Sequence, residues 1–126
     1  MSKPRDTLNT QKKRAQRLGR WAEFLARGVL MARGHRILAT NYRTSVGEID
    51  LITLKQNIIG FVEVKARPSE AQALEAISKT QQARIQRAAE HFLAHKPEWQ
   101  SCDVRFDVAL VTGPMSVRIL YDAWRP

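Results

Sequence analysis

The chain reads as a single α/β domain, a mixed sheet flanked by helices, and three observations lead there. Apolar residues recur at helical spacing in two long stretches, residues 11–34 and 70–94. Short apolar runs bounded by turn residues lie between and after those stretches. The resulting order, α-β-β-β-α-β-β, puts a helix between the third and fourth strands, where it can serve as a crossover to a parallel neighbour. At 126 residues the chain holds one domain with a real core and is too short for two ordinary ones.

Residues 1–10 show no periodicity, contain Pro4, and read as a flexible, basic leader to a domain at 11–126. From Gln11 onward, Ala15, Leu18, Ala22, Leu25, Ala26, Val29 and Leu30 form one helical stripe. Gly34 stands where a helix-ending glycine belongs, and Arg33 suits the negative end of the dipole. The outer face carries Lys12, Lys13, Arg14, Arg17, Arg20 and Arg27 with no acid against the first turns. That face is either a solvated one or a surface for phosphates. Glu23 interrupts the run at the border of the apolar stripe, with Gly19 leaving open space one turn earlier. By itself Glu23 reads as an ion pair with Arg27 or Arg20, worth roughly 0.2–0.5 kcal/mol.

A first strand follows at residues 36–42, and Thr44-Ser45-Val46-Gly47 turns the chain into a hairpin. Its strands are residues 48–54 and a second run ending near Arg67, joined at Lys55-Gln56-Asn57. Ser69 is a plausible cap for a second helix over residues 70–94, with Glu70 in its first turn. The stripe of that helix is Leu74, Ile77, Ile85, Ala88, Ala89, Phe92 and Leu93, and Lys96-Pro97 stops it. Residues 102–112 alternate as a strand, Gly113-Pro114 turns, and an extra C-terminal strand covers 117–121.

Composition narrows the partner. A net charge of +9 and a pI near 10.5 point to a polyanion, either nucleic acid or an anionic membrane surface. No apolar run approaches a membrane span, and the first residues lack the core of a signal peptide. The single cysteine, Cys102, excludes an internal disulfide framework and a cysteine-based zinc cluster. A cytoplasmic protein with no membrane contact is expected.

The central hairpin carries the chemistry. If it folds about Gln56-Asn57, Asp50 falls opposite Glu63, and Glu63 shares a strand face with Lys65. Ile49, Leu51, Ile52, Phe61, Val62 and Val64 surround these charges, and taking an ion into such an interior costs several kcal/mol. A salt bridge from Lys65 accounts for one acid but not two, and Glu48 adds a third acid if the strand is regular. Closely spaced acids repel, and an oxygen-liganded dication relieves that repulsion; Mg²⁺ takes one or two carboxylates, water and substrate phosphate. A bound dication acidifies water and polarises a phosphoryl oxygen, and a nearby lysine can orient that water or stabilise the crowded phosphate. In a chain this basic, metal-assisted phosphodiester hydrolysis is the chemistry these residues fit.

Asp50 followed by Glu63-Val64-Lys65 resembles the D…E-x-K core of restriction-endonuclease-like nucleases. Gly19-x-x-x-Glu23, Asn41-Tyr42-Arg43, Gly47-Glu48-Ile49-Asp50-Leu51-Ile52, Phe61-Val62-Glu63-Val64-Lys65-x-Arg67 and Arg105-Phe106-Asp107-Val108 together resemble the YraN family. These are small bacterial proteins predicted to be nucleases and similar to archaeal Holliday-junction resolvases. The resemblance implies an α-β-β-β-α-β core, Mg²⁺ or Mn²⁺ as cofactor, and DNA, including branched DNA, as substrate. It carries over Asp50 and Glu63 as metal ligands, Lys65 as catalytic lysine and Glu23 as a helix-borne acid near the metal. Ile49 stands where the superfamily often has proline. Glu48 has no settled role there and is a candidate to hold a metal-bound water or a neighbouring acid.

Lys12, Lys13, Arg17, Arg20 and Arg67 are candidate nucleic-acid contacts, and Lys79, Gln81 and Gln82, early in the second helix, are weaker candidates for phosphate or water contacts. Asp107 reads as a structural partner of Arg105, and His35, His91 and His95 have no metal-ligand spacing. Cutting both strands of a junction would favour a homodimer. Two other readings stand beside the nuclease: a non-catalytic nucleic-acid-binding module that retains the acid cluster, and a protein-interaction adaptor whose charge is incidental.

Overall fold

The computed structural model describes the backbone of residues 4–126 and side chains from residue 9 onward. Helix α1 (Pro4–Ala32) begins ahead of the expected Gln11, so residues 4–10 of the expected leader are helical. Residues 1–3 of the leader lie outside the described residues.

Gly34 ends α1 as expected. Its φ is +89°, and His35 N–H donates to the Leu30 carbonyl at 3.0 Å while Gly34 N–H reaches Met31 at 3.0 Å. This left-handed closure satisfies carbonyls the helix leaves open. Gly34→Ala should therefore lower stability by about 1–2 kcal/mol in urea unfolding, through backbone strain alone. An added methyl would meet only the Lys55 side chain at 3.8 Å.

Strands β1 (Arg36–Arg43), β2 (Glu48–Lys55) and β3 (Ile58–Ala66) run antiparallel in sequence, joined by tight turns. The next strand, β4 (Asp103–Gly113), lies parallel to β3, and β5 (Ser116–Leu120) returns antiparallel beside it. The strand order is β1-β2-β3-β4-β5, the mixed sheet the sequence predicts. The β2–β3 hairpin turns at Gln56, whose φ is 56°, and pairs Leu51 with Val62 and Ile52 with Phe61. That is the register expected from folding about Gln56-Asn57.

The expected second helix is broken in two, α2 (Glu70–Glu75) and α3 (Lys79–Ala94). Ser78 causes the break: its backbone is extended and its hydroxyl accepts the Gln81 N–H at 3.1 Å. Ser69 caps α2 in the same way. The break resets the helical phase, so Ala73 is buried and Leu74, expected in the stripe, is 40% exposed. The segment still acts as the crossover from β3 to β4.

Both faces of the sheet are covered. On one, Ala26 and Leu30 of α1 pack on Leu51, Val62, Ala109 and Ile119. On the other, Ile85, Ala88, Ala89 and Phe92 of α3 pack on Ile49, Ile52, Ile59, Phe61 and Phe106. Burying each large apolar side chain contributes about 1.5–3 kcal/mol, and β2 and β3 supply several of them. Leu18, expected in the α1 stripe, is 53% exposed instead, because it lies beyond the edge of the sheet contact.

Asp107 is buried and structural as expected. It accepts Arg105 Nε at 2.8 Å and the Asp122 N–H at 2.9 Å. Cys102 is half-buried. Among the described residues no helix is long and apolar enough to cross a membrane.

Candidate active site

Pairing between β2 and β3 runs as far as Leu51 and Val62. The next register position holds Asp50 and Glu63, where the two strands part. There the Asp50 carboxylate takes over from the backbone, accepting the Val64 N–H at 2.8 Å. Glu63 Oε1 accepts Gln81 Nε2 at 2.9 Å and lies 3.3 Å from Lys65 Nζ. The last ion pair is enclosed, with side-chain exposures of 14% for Lys65 and 8% for Glu63.

Four elements bring these groups together: α1 from the side, the start of β2, the end of β3 and the start of α3. They bound a cleft of about 330 Å³ lined by Glu23, Glu48, Asp50, Glu63, Lys65, Arg67 and Gln81. Glu23 forms part of the α1 wall and accepts Asn41 Nδ2 at 3.3 Å. Asn41 holds a left-handed backbone, φ 49°, a conformation asparagine tolerates better than most residues. Gly19 also faces the cleft, and an added methyl there would meet nothing within 4 Å, so open space does adjoin Glu23.

Gly47 sets the depth of the cleft. A methyl on it would run into the backbone carbonyl of Arg84, so only glycine lets α3 approach the start of β2 this closely. That approach brings Gln81 to Glu63. Gly47→Ala should weaken both folding and the Gln81–Glu63 bond, read as a lower midpoint in urea unfolding and faster hydrogen exchange at the start of α3.

The acids are held where their charge is disfavoured. Glu63 is pushed up to about 8, first by burial and then by the Asp50 charge, with Lys65 opposing. Asp50 is raised by burial against the pull of the Val64 N–H and Lys65, and Glu48 adds to the rise. Glu23 is raised by burial and by Asp50, with Asn41 and Arg27 opposing. One lysine offsets the repulsion among these carboxylates only in part.

Asp50 and Glu63 are oxygen donors that fit Mg²⁺ or Mn²⁺, which take one or two carboxylates when water and phosphate fill the other positions. Both carboxyls are raised first by burial, and Glu63 also by the Asp50 charge; a dication between them would offset both, which is the second sign of fit. Among the described residues no group of three or more His, Cys, Asp or Glu stands at ligating spacing. Glu23 is committed to Asn41, and Glu48 sits at the rim, 3.7 Å from Arg43 Nε.

The basic candidates divide. Arg67 lines the cleft, and its Nη1 donates to the Ala66 carbonyl at 2.7 Å. Lys12 lies one turn before Ala15, on the side of α1 that faces the cleft. Lys13, Arg17 and Arg20 are exposed and, at about 100° per residue, project away from it. Lys79 is exposed at the start of α3, and Gln82 donates to the Ile77 carbonyl at 3.5 Å. The glutamine that reaches the site is Gln81.

Two contributors were weakly marked in the sequence. Ser78-x-x-Gln81 has the spacing of a capping box, in which the glutamine would turn back to the cap N–H. Here its amide goes to Glu63 instead. Asn41 had no signal beyond its place in Asn41-Tyr42-Arg43.

The profile of Uncharacterised protein family UPF0102 matches residues 22–111, a span that includes Glu23, Asp50, Glu63 and Lys65. A UPF0102 protein of Parvibaculum lavamentivorans is 44% identical over 112 residues, covering 89% of this chain and 84% of that protein. One of Paramagnetospirillum magneticum is 44% identical over 115 residues, covering 88% and 89%. One of Bradyrhizobium diazoefficiens is 46% identical over 112 residues, covering 86% and 84%. The chain belongs to the uncharacterised family UPF0102, which is the YraN family.

Proposed function

We propose that this protein is a metal-dependent nuclease that hydrolyses phosphodiester bonds of DNA. The observation that carries the proposal is the convergence of Asp50, Glu63 and Lys65 at the fork of β2 and β3, in an open cleft, with the acids held against their own charge. A structural ion pair needs one acid and one base. The surplus carboxylate is explained by a dication and a phosphate that share the cleft.

Asp50 and Glu63 would hold the metal, which supplies charge neutralisation at the phosphate and acidification of water. The Val64 N–H fixes the Asp50 carboxylate, and Gln81 fixes that of Glu63, so both oxygens are pre-aimed before substrate arrives. The Lys65 ammonium stabilises the charge that develops on the phosphoryl oxygens. Glu23, kept in place by Asn41, is positioned to accept a proton from water at the α1 wall. Arg67 in the cleft, and Lys12 one turn beyond it on the same side of α1, would meet the phosphates on either side.

A panel of duplex, single-stranded and branched DNA, incubated with Mg²⁺ or Mn²⁺, tests the proposal. Cleavage is expected for wild type and is expected to vanish for Asp50→Ala in protein that remains folded by circular dichroism. Equal cleavage by the two proteins would trace the activity to a contaminant and end the proposal.

One observation favours the non-catalytic alternative: Gln81 and Lys65 already give Glu63 two partners without a metal. Salt-sensitive DNA binding with no turnover on any member of the panel would select that reading.

A further inference from the structure

Beside the cleft, α1 turns a second apolar face to solvent. Trp21 is 43% exposed and Phe24 56%, and their rings stack with centroids 5.6 Å apart and planes 22° from parallel. The Trp21 indole N–H donates to the Pro114 carbonyl at 3.0 Å, which fixes the ring at the β4–β5 turn. A groove of about 300 Å³ runs under it, lined by Leu18, Trp21, Arg67, Pro68, Val111 and Pro114. Leu18, Ala66 and Arg67 line both this groove and the cleft, so the two are continuous.

The charges around the aromatic pair select its occupant. Arg17 and Arg20 stand one helical turn before Trp21 and Phe24, and the Arg27 guanidinium lies 5.9 Å from the Phe24 ring. Glu23 is the only acid between Asn9 and Ala32, and it faces the cleft. A second copy of this chain would bring the same arginines against each other across a two-fold axis, which opposes association. A nucleic-acid strand brings phosphates to the arginines and base faces to the rings, the combination found where unpaired strands are bound.

We propose that Trp21 and Phe24 form a stacking platform for an unpaired nucleobase on the strand whose phosphate enters the cleft. The inference rests on the nuclease reading and deepens it: the substrate class is DNA with single-stranded character next to the bond that is cut. It also gives Arg17 and Arg20, which point away from the cleft, a phosphate-binding role beside the platform.

The test is fluorescence anisotropy without added divalent metal, on three labelled DNAs. One is a blunt duplex, one the same duplex with a single-stranded arm, and one carries that arm built of abasic nucleotides. The arm should tighten wild-type binding by about tenfold, and the abasic arm, which keeps the phosphates and loses the bases, should not. Phe24→Ala and Trp21→Ala should bring the armed duplex to blunt-duplex affinity and leave the blunt duplex within about twofold. Phe24 makes no hydrogen bond and is half exposed, so its variant keeps the test open if Trp21→Ala does not fold. An abasic arm that binds as well as the normal arm, or variants that keep the preference, would overturn the platform. So would sedimentation showing a wild-type dimer that Phe24→Ala dissociates, because the face would then belong to a second copy. Mg²⁺-dependent cleavage of armed and abasic DNA at equal rates would remove the platform and leave the nuclease reading intact. No binding to any of the three DNAs would remove both.

Discussion

Lys65→Ala should slow phosphodiester cleavage by about 10²–10³-fold, the usual cost of removing one positioned cationic or hydrogen-bonding stabiliser of a transition state. The fold should persist, because Lys65 lines the cleft and the large apolar clusters are built without it. Metal affinity should be equal or higher, since the variant removes a positive charge 3.3 Å from the Glu63 carboxylate. That combination separates a catalytic lysine from a mere partner of Glu63. A structural partner would show its loss in stability and in metal binding, with the rate falling only as far as those two do. Lys65→Met, which keeps most of the side-chain volume, controls for packing. Single-turnover cleavage with saturating metal reads the rate, and urea unfolding reads the stability.

The second large effect is on pH dependence. Glu63 has an ordinary value of 4.5 and is pushed up to about 8 in the fold. Between those two values the folded protein holds a proton that the unfolded chain releases. The metal-free protein should therefore lose stability as pH rises from about 4.5 to about 8 and level off above it, by an amount on the order of 3–5 kcal/mol. Asp50 is raised as well, first by burial, and acts in the same direction. Glu63→Gln removes the titrating group and should flatten the dependence, so that it unfolds at higher urea than wild type at pH 8. Metal binding reverses the sign. A dication must displace the proton from Glu63, so apparent affinity should climb by up to about tenfold per pH unit and stop climbing near 8. Urea unfolding at several pH values, with and without Mn²⁺, measures both slopes.

The hairpin was readable in advance because short-range rules govern it. A tight turn at Gln56-Asn57 leaves one register that buries both apolar faces, and a slip would turn Leu51 and Val62 away from the α1 residues they pack against. The position of Asp50 opposite Glu63 followed from that alone. Glu23 was less determined, since its path to the cleft depends on how α1 lies across the sheet. The roles of Asn41 and Gln81 at the acids were not legible for another reason: each contributes through a backbone departure from its element. Asn41 needs a left-handed φ within β1, and Gln81 needs the helix to restart at Ser78. Ile85 beyond the restart falls close to the stripe of Leu74 and Ile77 before it, despite the polar run at residues 78–84, so a single helix was expected and Leu74 was placed in the core. The face of α1 that carries Trp21 and Phe24 lay outside the expected stripe for a similar reason. Periodicity identifies a buried face and says nothing about aromatic residues that the helix leaves uncovered.

Calorimetric titration of Mn²⁺ into wild type and Asp50→Ala tests the central claim most directly, that Asp50 and Glu63 form a metal centre served by Lys65. The account predicts a saturable heat for wild type, accompanied by proton release at pH 7, and none for Asp50→Ala. Absence of heat in wild type, or the same isotherm in both proteins, would contradict it and leave the carboxylates and Lys65 as a structural cluster.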